Sequence, residues 1–152
     1  MANQLALPPA LKYGLAAFYG YGAAVHIANM LGLTGFDWML APVKWQVLDG
    51  LYLILDIAVI VGLLAGRDWA VPSFVLAATS QILLYTVFRA WVLDVPADFA
   101  VAPSEVAYLN GLVAFHIACL AALGAVFWRN RQRAQPLQPI SGGTVQYCSS
   151  RR

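Results

Sequence analysis

The stretch from Trp45 to Gly66 constrains the fold more than any other part of the chain. Its sequence, WQVLDGLYLILDIAVIVGLLAG, is apolar enough to cross a bilayer, yet it carries two carboxylates, Asp49 and Asp56. Residues seven apart lie on one face of a helix about two turns apart, and Tyr52 falls between them. Because a carboxylate in the middle of a membrane span costs about 3 kcal/mol, such a residue normally has a partner or a function. This stretch therefore predicts a polar site inside a membrane protein.

Composition points the same way. The chain is 61% hydrophobic and 11% charged, whereas an ordinary globular protein has roughly 25% charged residues. A soluble fold of 152 residues could not hide this much apolar surface, so the lipid bilayer is the expected partner. Nucleic acid is not expected as a partner, because the one cluster of arginines is short and directly follows an apolar segment.

Four apolar segments predict an all-α, four-helix integral membrane bundle within residues 1–130. The predicted spans are about 11–33, 46–65, 69–93 and 105–128. The first span is rich in Gly and Ala, and such small residues let helices approach closely in lipid. It lacks a basic region and a cleavage site before it, so we expect a retained span and not a signal peptide. Residues 131–152 are rich in Pro, Gly, Ser and Gln and are predicted to form a disordered tail.

The basic residues predict the orientation of these spans. With both termini in the cytoplasm, two basic residues, Lys44 and Arg89, face outward. Seven then lie inside, namely Lys12, Arg67, Arg129, Arg131, Arg133, Arg151 and Arg152. Cytoplasmic segments carry an excess of Lys and Arg, so the N and C termini are predicted to be cytoplasmic.

Polar residues gather in the outer half of the predicted bundle. A helix rises 1.5 Å per residue, which gives the depth of each residue below the outer end of its span. The residues of this set are His26, Asn29, Asp49, Tyr52, Asp56, Gln81, Tyr85, Arg89 and His116. They predict a buried network or a pocket that opens outward, in which Asp56 pairs with Arg89 or Gln81, or Arg89 pairs with Asp49 nearer its own level. Two interpretations stay open: the set braces the helices, or it binds a ligand or moves protons.

The two histidines, His26 and His116, lie on the first and last spans. Two imidazoles that face each other across a bundle can ligate a b-type haem or a metal ion. A histidine that accepts a proton or contacts a ligand needs neither haem nor a metal ion. We therefore expect no cofactor and no metal. The cysteines Cys119 and Cys148 have no CxxC spacing and predict no disulfide or thiolate site. No HExxH, GxSxG, P-loop or dinucleotide motif occurs, and no catalytic residue is identified.

Several features together resemble the small four-span bacterial membrane proteins of the DoxX-like type. These are the Gly/Ala-rich first span, the short Gly66-Arg67 turn after the second, and the basic RNRQR sequence after the fourth. The resemblance covers about residues 11–130. It implies a multi-pass protein of the bacterial inner membrane, and some members of this type are accessory subunits of quinone-linked or redox systems. The polar third span and the histidine pair depart from the pattern, and no functional residue is carried over.

The sequence therefore favours a non-enzymatic accessory subunit or small-ligand-binding protein with a polar pocket in the outer leaflet. The alternative is a membrane redox component that binds quinone or b-type haem through His26 and His116. Other membrane subunits or a second copy of the chain are the protein partners that fit such a bundle. Ion movement is disfavoured, because the inner half of the spans has no continuing polar path.

Overall fold

The computed structural model describes residues 7–35 and 37–133, and this part of the chain is all-α, as predicted. It contains α-helices, two single-turn 3-10 helices and no strand. The α-helices are α1 (Pro9–Met30), α2 (Val43–Leu64), α3 (Ala70–Thr86), α4 (Arg89–Leu93) and α5 (Pro103–Arg133). Of the tail predicted for 131–152, the first three residues belong to α5, and the others lie outside the described residues.

Prolines mark the starts of three of the described helices, and glycines follow the ends of two. Pro9, Pro42 and Pro103 stand at or just before the first turns of α1, α2 and α5, where a missing N–H does little harm. α1 and α2 each end in a turn of the same type, in which Gly32 and Gly66, respectively, adopt φ values of 70° and 62°. In each turn the next amide donates across it to a carbonyl five residues earlier, a Schellman arrangement that glycine favours.

The connection from α2 to α3 brings the two helices into close contact. A Cβ atom added at Gly62 would lie 2.8 Å from Cζ3 of Trp69 and 2.9 Å from Cα of Ala70. Only a glycine fits at such a distance from backbone, so Gly62 sets the approach of the two helices.

The third predicted span, 69–93, is not one continuous helix, because the structure breaks it at Val87 and Phe88. The hydroxyl of Thr86 donates to the Ile82 carbonyl at 2.6 Å and competes with the helical ladder there. The amide of Phe88 then reaches back five residues to the Leu83 carbonyl, at 3.0 Å. The sequence pattern did not reveal this break, since apolar residues continue through it.

Neighbouring helices pack in chain order, with α1 on α2, α2 on α3, and α3 on α5. α1 and α5 meet through the rings of Phe18 and Phe115, which stack with centroids 3.8 Å apart. The larger core cluster lies toward the end that holds the α2–α3 turn. Its buried members are Leu15, Ala16, Tyr19, Val59, Leu63, Ala70, Phe74, Ala77, Ala78 and Leu123.

The outward faces of the helices are apolar. On α2, the exposed large side chains are Val43, Val47, Leu51, Ile54, Ile57, Val61 and Leu64. A contiguous apolar surface of this kind is unusual for a protein in water. Among the described helices, α2 and α5 are long and apolar enough to cross a membrane, and α3 is a shorter apolar helix.

Candidate functional site

Asp49 on α2 is the centre of a hydrogen-bonded group at the end of the bundle opposite the α2–α3 turn. Its Oδ1 lies 2.7 Å from Nδ1 of His26 and 3.2 Å from Nδ2 of Asn29, both on α1. Its Oδ2 accepts from the indole N–H of Trp38 at 2.9 Å. Three donors from α1 and the following loop therefore converge on one buried carboxylate, which satisfies both of its oxygens.

His26 lies between the two aspartates of α2. A carboxylate only accepts hydrogen bonds, so Nδ1 of His26 carries the proton that faces Asp49. Nε2 of the same ring lies 3.9 Å from Oδ2 of Asp56. The ring also stacks on Tyr52, with centroids 6.2 Å apart and planes 17° from parallel. A histidine between two carboxylates can be held as an imidazolium, or can pass a proton between Asp49 and Asp56.

Asp56 is only 2% exposed, and its surroundings differ from those predicted. Within residues 7–35 and 37–133, its ion-pair partner is His26, so the predicted pairing with Arg89 or Gln81 is wrong. Arg89 instead donates from Nη1 to Oδ1 of Asn110 on α5, at 2.8 Å. The physical reason is the break before α4, which interrupts the helical stripe on which Gln81, Tyr85 and Arg89 were expected to lie.

A cavity of about 410 Å³ lies beside the Asp49 group, at the end of the bundle opposite the α2–α3 turn. Five of the predicted site residues line it, namely His26, Asn29, Asp49, Tyr52 and Tyr85. The wall also includes Trp45 of α2, Tyr108 of α5, and Asp98 and Phe99 of the 3-10 turn Ala97–Phe99. The predicted pocket and the observed cavity therefore occupy the same end of the bundle.

His116, Gln81 and Asp56 are not among the residues that line the cavity. His116 is 0% exposed, and its Nδ1 donates to the Leu112 carbonyl at 2.8 Å. Its Nε2 and the Gln81 Oε1 have no hydrogen-bond partner among the described residues. The rings of Phe18, Tyr19 and Phe115 surround the imidazole.

The two histidines lie at different levels of the bundle. His116 contacts Tyr19, which precedes His26 on α1 by seven residues, about 10 Å along a helix axis. Both ring nitrogens of His26 face aspartates, so neither points toward His116. Ligation of a haem through this pair stays a prediction without support from the geometry. In the described part of the chain, no group of three or more His, Cys, Asp or Glu side chains is arranged to hold a metal ion.

Sequence reasoning missed two contributors to the site. The indole N–H of Trp38 donates to Asp49. The Oγ of Ser80 accepts from the Tyr52 hydroxyl at 3.3 Å and donates to the Ala77 carbonyl at 2.9 Å. Neither contact has a signal in the sequence, because a loop conformation and a helix rotation decide them.

The comparisons with known proteins add no relative. No protein-family model matches this chain, and no curated protein or solved structure matches it significantly. The resemblance to the DoxX-like type therefore stays a prediction.

Proposed function

We propose that the chain is a four-span protein of the bacterial inner membrane, with α3 and α4 together forming the third span. The apolar outward faces and the length of α2 and α5 support a membrane location. α1 has 22 residues, about 33 Å at 1.5 Å per residue, which is enough for a fourth crossing.

The distribution of charge supports an orientation with both termini in the cytoplasm. The end of the bundle away from the cavity carries Arg67 in the α2–α3 turn and the basic C-terminal turns of α5. Lys12 lies at the same end, where its Nζ donates to the Leu64 carbonyl at 3.4 Å. The cavity end carries Asp37, Asp94, Asp98 and Glu105. Because basic residues concentrate on the cytoplasmic side, the cavity faces the periplasm in this arrangement.

For the function itself, we propose non-enzymatic binding of a small ligand, either alone or as an accessory subunit. The observation that carries this proposal is the 410 Å³ cavity, since small-molecule sites occupy concave pockets of about 300–1,000 Å³ with a few fixed polar groups. The Asp49 group provides such fixed groups, because its hydrogen bonds hold His26, Asn29 and Trp38 in place. A site with walls held in this way loses little conformational freedom when a ligand enters.

Topology is tested with reporter fusions. A reporter active in the cytoplasm should work after Arg133, and a reporter active in the periplasm should work within residues 94–104. A C-terminal fusion that is active only in the periplasm would overturn both the orientation and the placement of the cavity.

Ligand binding is tested with a mixed panel of small amines, carboxylic acids and uncharged compounds on the purified full chain in detergent, read by saturation-transfer NMR. We expect hits whose signal is lost in Leu109→Trp, which fills the cavity, and kept in Leu51→Trp, which lies on the outer face of α2. A panel without hits, or hits unaffected by Leu109→Trp, would contradict a ligand site in this cavity.

The redox component is a second candidate, and one observation at His116 favours it. Nδ1 of this histidine donates to a backbone carbonyl, which leaves Nε2 unprotonated and without a described partner. Metal-bound histidines commonly show this arrangement. If haem binds through His116, protein purified from haem-replete cells has a Soret band that His116→Ala removes. Removal by His26→Ala as well would require the His26 ring to turn away from Asp49 and Asp56. We expect a colourless preparation. A Soret band in the parent chain would favour the redox component over the ligand-binding protein.

A further inference from the structure

Aromatic side chains form much of the cavity wall. The rings that line it are Trp45, Tyr52, Tyr85, Phe99 and Tyr108. At least one of them is held firmly in place, because the Tyr52 ring stacks on His26 while its hydroxyl donates to Ser80. The face of an aromatic ring carries negative electrostatic potential and attracts cations within about 6 Å of its centre.

The charged side chains that line the cavity are acidic. Asp49, Asp98 and Glu105 belong to the wall, and no Lys or Arg of the described residues does. Both basic side chains predicted for this end are directed elsewhere. Lys44 donates to the backbone carbonyls of Trp91 and Asp94 and lies 5.3 Å from the centre of the Trp91 ring. Arg89 is bound to Asn110 of α5.

We propose that the ligand of this cavity is a small organic cation, a protonated amine or a quaternary ammonium compound. This inference rests on the proposed function, because it names the chemical class of ligand for the same cavity. Ring faces and carboxylates together attract a positive charge, and the same carboxylates repel an anion. The volume of 410 Å³ suits an organic molecule better than a bare ion, and the rings supply the apolar contacts such a molecule needs.

Among the described residues of the wall, His26 is the one whose side chain can become cationic, and its position is consistent with this class of ligand. Its two ring nitrogens face Asp49 and Asp56, so the charge of a protonated ring would be directed at these aspartates and not at the cavity. Asp98 and Glu105 are exposed members of the wall and can meet a cation that enters. Oε2 of Glu105 accepts from the Ala102 amide at 2.7 Å, which holds that carboxylate in place.

The test compares each of two cations with an uncharged partner of the same shape. Choline is paired with its carbon isostere, in which carbon replaces the quaternary nitrogen, and phenethylammonium is paired with phenylethanol. Binding to the purified full chain in detergent is measured by isothermal titration calorimetry. We expect at least one cation to bind at least about tenfold more tightly than its uncharged partner, as expected for a desolvated cation on aromatic faces.

Single substitutions test whether the cation binds in this cavity. Tyr85→Leu and Asp98→Asn should each weaken binding of the preferred cation at least about threefold, because they remove a ring face and a charge of the wall. The matched controls are Tyr13→Leu, an exposed tyrosine at the other end of α1, and Asp94→Asn, an aspartate at the same end outside the wall. Both controls should leave the affinity unchanged.

The outcomes separate this inference from the proposed function. If uncharged or acidic compounds bind as tightly as the cations, and Leu109→Trp abolishes that binding, the cation inference is overturned while the cavity stays a ligand site. If no probe and no member of the mixed panel binds, both are overturned. Binding of cations that Tyr85→Leu and Asp98→Asn leave unchanged would also overturn the inference.

Discussion

Nδ1 of His26 lies 2.7 Å from Oδ1 of Asp49, so a side-chain hydrogen bond joins the last turns of α1 to the first turns of α2. Asn29 and Trp38 reach the same carboxylate. Hydrogen bonds in a low-dielectric interior are strong when complete and costly when a partner is removed. At the end of the bundle that holds the cavity, this polar group therefore adds to a small apolar cluster of Tyr52, Leu84 and Val92, whereas the larger apolar cluster lies toward the other end.

We predict that His26 and Asp49 are energetically coupled. His26→Leu and Asp49→Leu should each lower the free energy of unfolding by about 1–3 kcal/mol, because each leaves a buried partner unsatisfied. The double variant should lose less than the sum, by about 1 kcal/mol. Denaturant unfolding in detergent micelles measures the cycle. The exposed Arg89 and Asn110 pair is the control, with coupling below about 0.5 kcal/mol. Additive losses at His26 and Asp49 would contradict the prediction.

We predict that Asp56 is not energetically coupled to Arg89, the partner that the sequence suggested. Because Arg89 is bound to Asn110, we expect Asp56→Asn and Arg89→Gln to be additive within about 0.5 kcal/mol in unfolding experiments. Asp56→Asn and His26→Leu should show measurable coupling, though weaker than that of His26 with Asp49, since the atoms lie 3.9 Å apart and not 2.7 Å. Strong coupling of Asp56 to Arg89 would mean that these side chains meet.

Gly22 is predicted to be intolerant of a side chain. A Cβ atom there would lie 2.5 Å from Oδ2 of Asp56, a buried carboxylate with little room to move. Gly22→Ala should destabilise the protein by about 1–3 kcal/mol, as overpacking does elsewhere. Gly20→Ala is the matched control, because no atom lies within 4 Å of its added Cβ. That control should be neutral or stabilising by up to about 1 kcal/mol, since alanine favours helix.

The assignment of the clash to Asp56 can be checked directly. Adding Asp56→Ala to Gly22→Ala removes the carboxylate that the new methyl group meets, so the double variant should recover stability relative to the sum of the two changes. Thermal unfolding of the four proteins measures this. A Gly22→Ala variant as stable as the parent chain would show that the carboxylate moves freely.

The α2–α3 junction gives a parallel prediction at Gly62. Here the added Cβ would meet backbone, 2.9 Å from Cα of Ala70, and backbone yields less readily than a side chain. We expect Gly62→Ala to separate α2 from α3 and to lower the unfolding temperature by more than Gly22→Ala does. Gly50→Ala on the same helix is the control, because its added Cβ has no neighbour within 4 Å. Equal unfolding temperatures for Gly62→Ala and Gly50→Ala would contradict the close packing of the two helices.

The sequence predicted where the polar residues gather but not how they pair. Counting residues along each helix placed His26, Asn29, Asp49, Tyr52 and Tyr85 near one end, and all five line the cavity. Depth is predictable because every helical residue rises by the same distance. Pairing depends on the rotation of each helix about its axis and on the path of the loops, and hydrophobic periodicity is weak where a helix is apolar on all sides.

Arg89 shows most clearly why the pairing of side chains could not be predicted from the sequence. Its spacing from Gln81 and Tyr85 places it on their face only while the helix is continuous, and the hydroxyl of Thr86 disturbs the ladder just before it. A single Thr near a helix end is common and does not by itself predict a break. The contact of Trp38 with Asp49 could not be predicted from the sequence either, because it depends on the conformation of the 3-10 turn Trp38–Leu40.

In the proposed membrane arrangement, the break after α3 also bears on the lipid around the protein. The 17 residues of α3 extend about 25 Å, whereas the 22 residues of α2 extend about 33 Å. A hydrocarbon core about 30 Å thick matches α2, but the third span reaches that thickness only if α4 continues the line of α3. If α4 bends away at the break, the bilayer must thin on that side, and thickness mismatch of this kind sorts membrane proteins and draws helices together. The angle at the break would then set the membrane thickness that the bundle prefers.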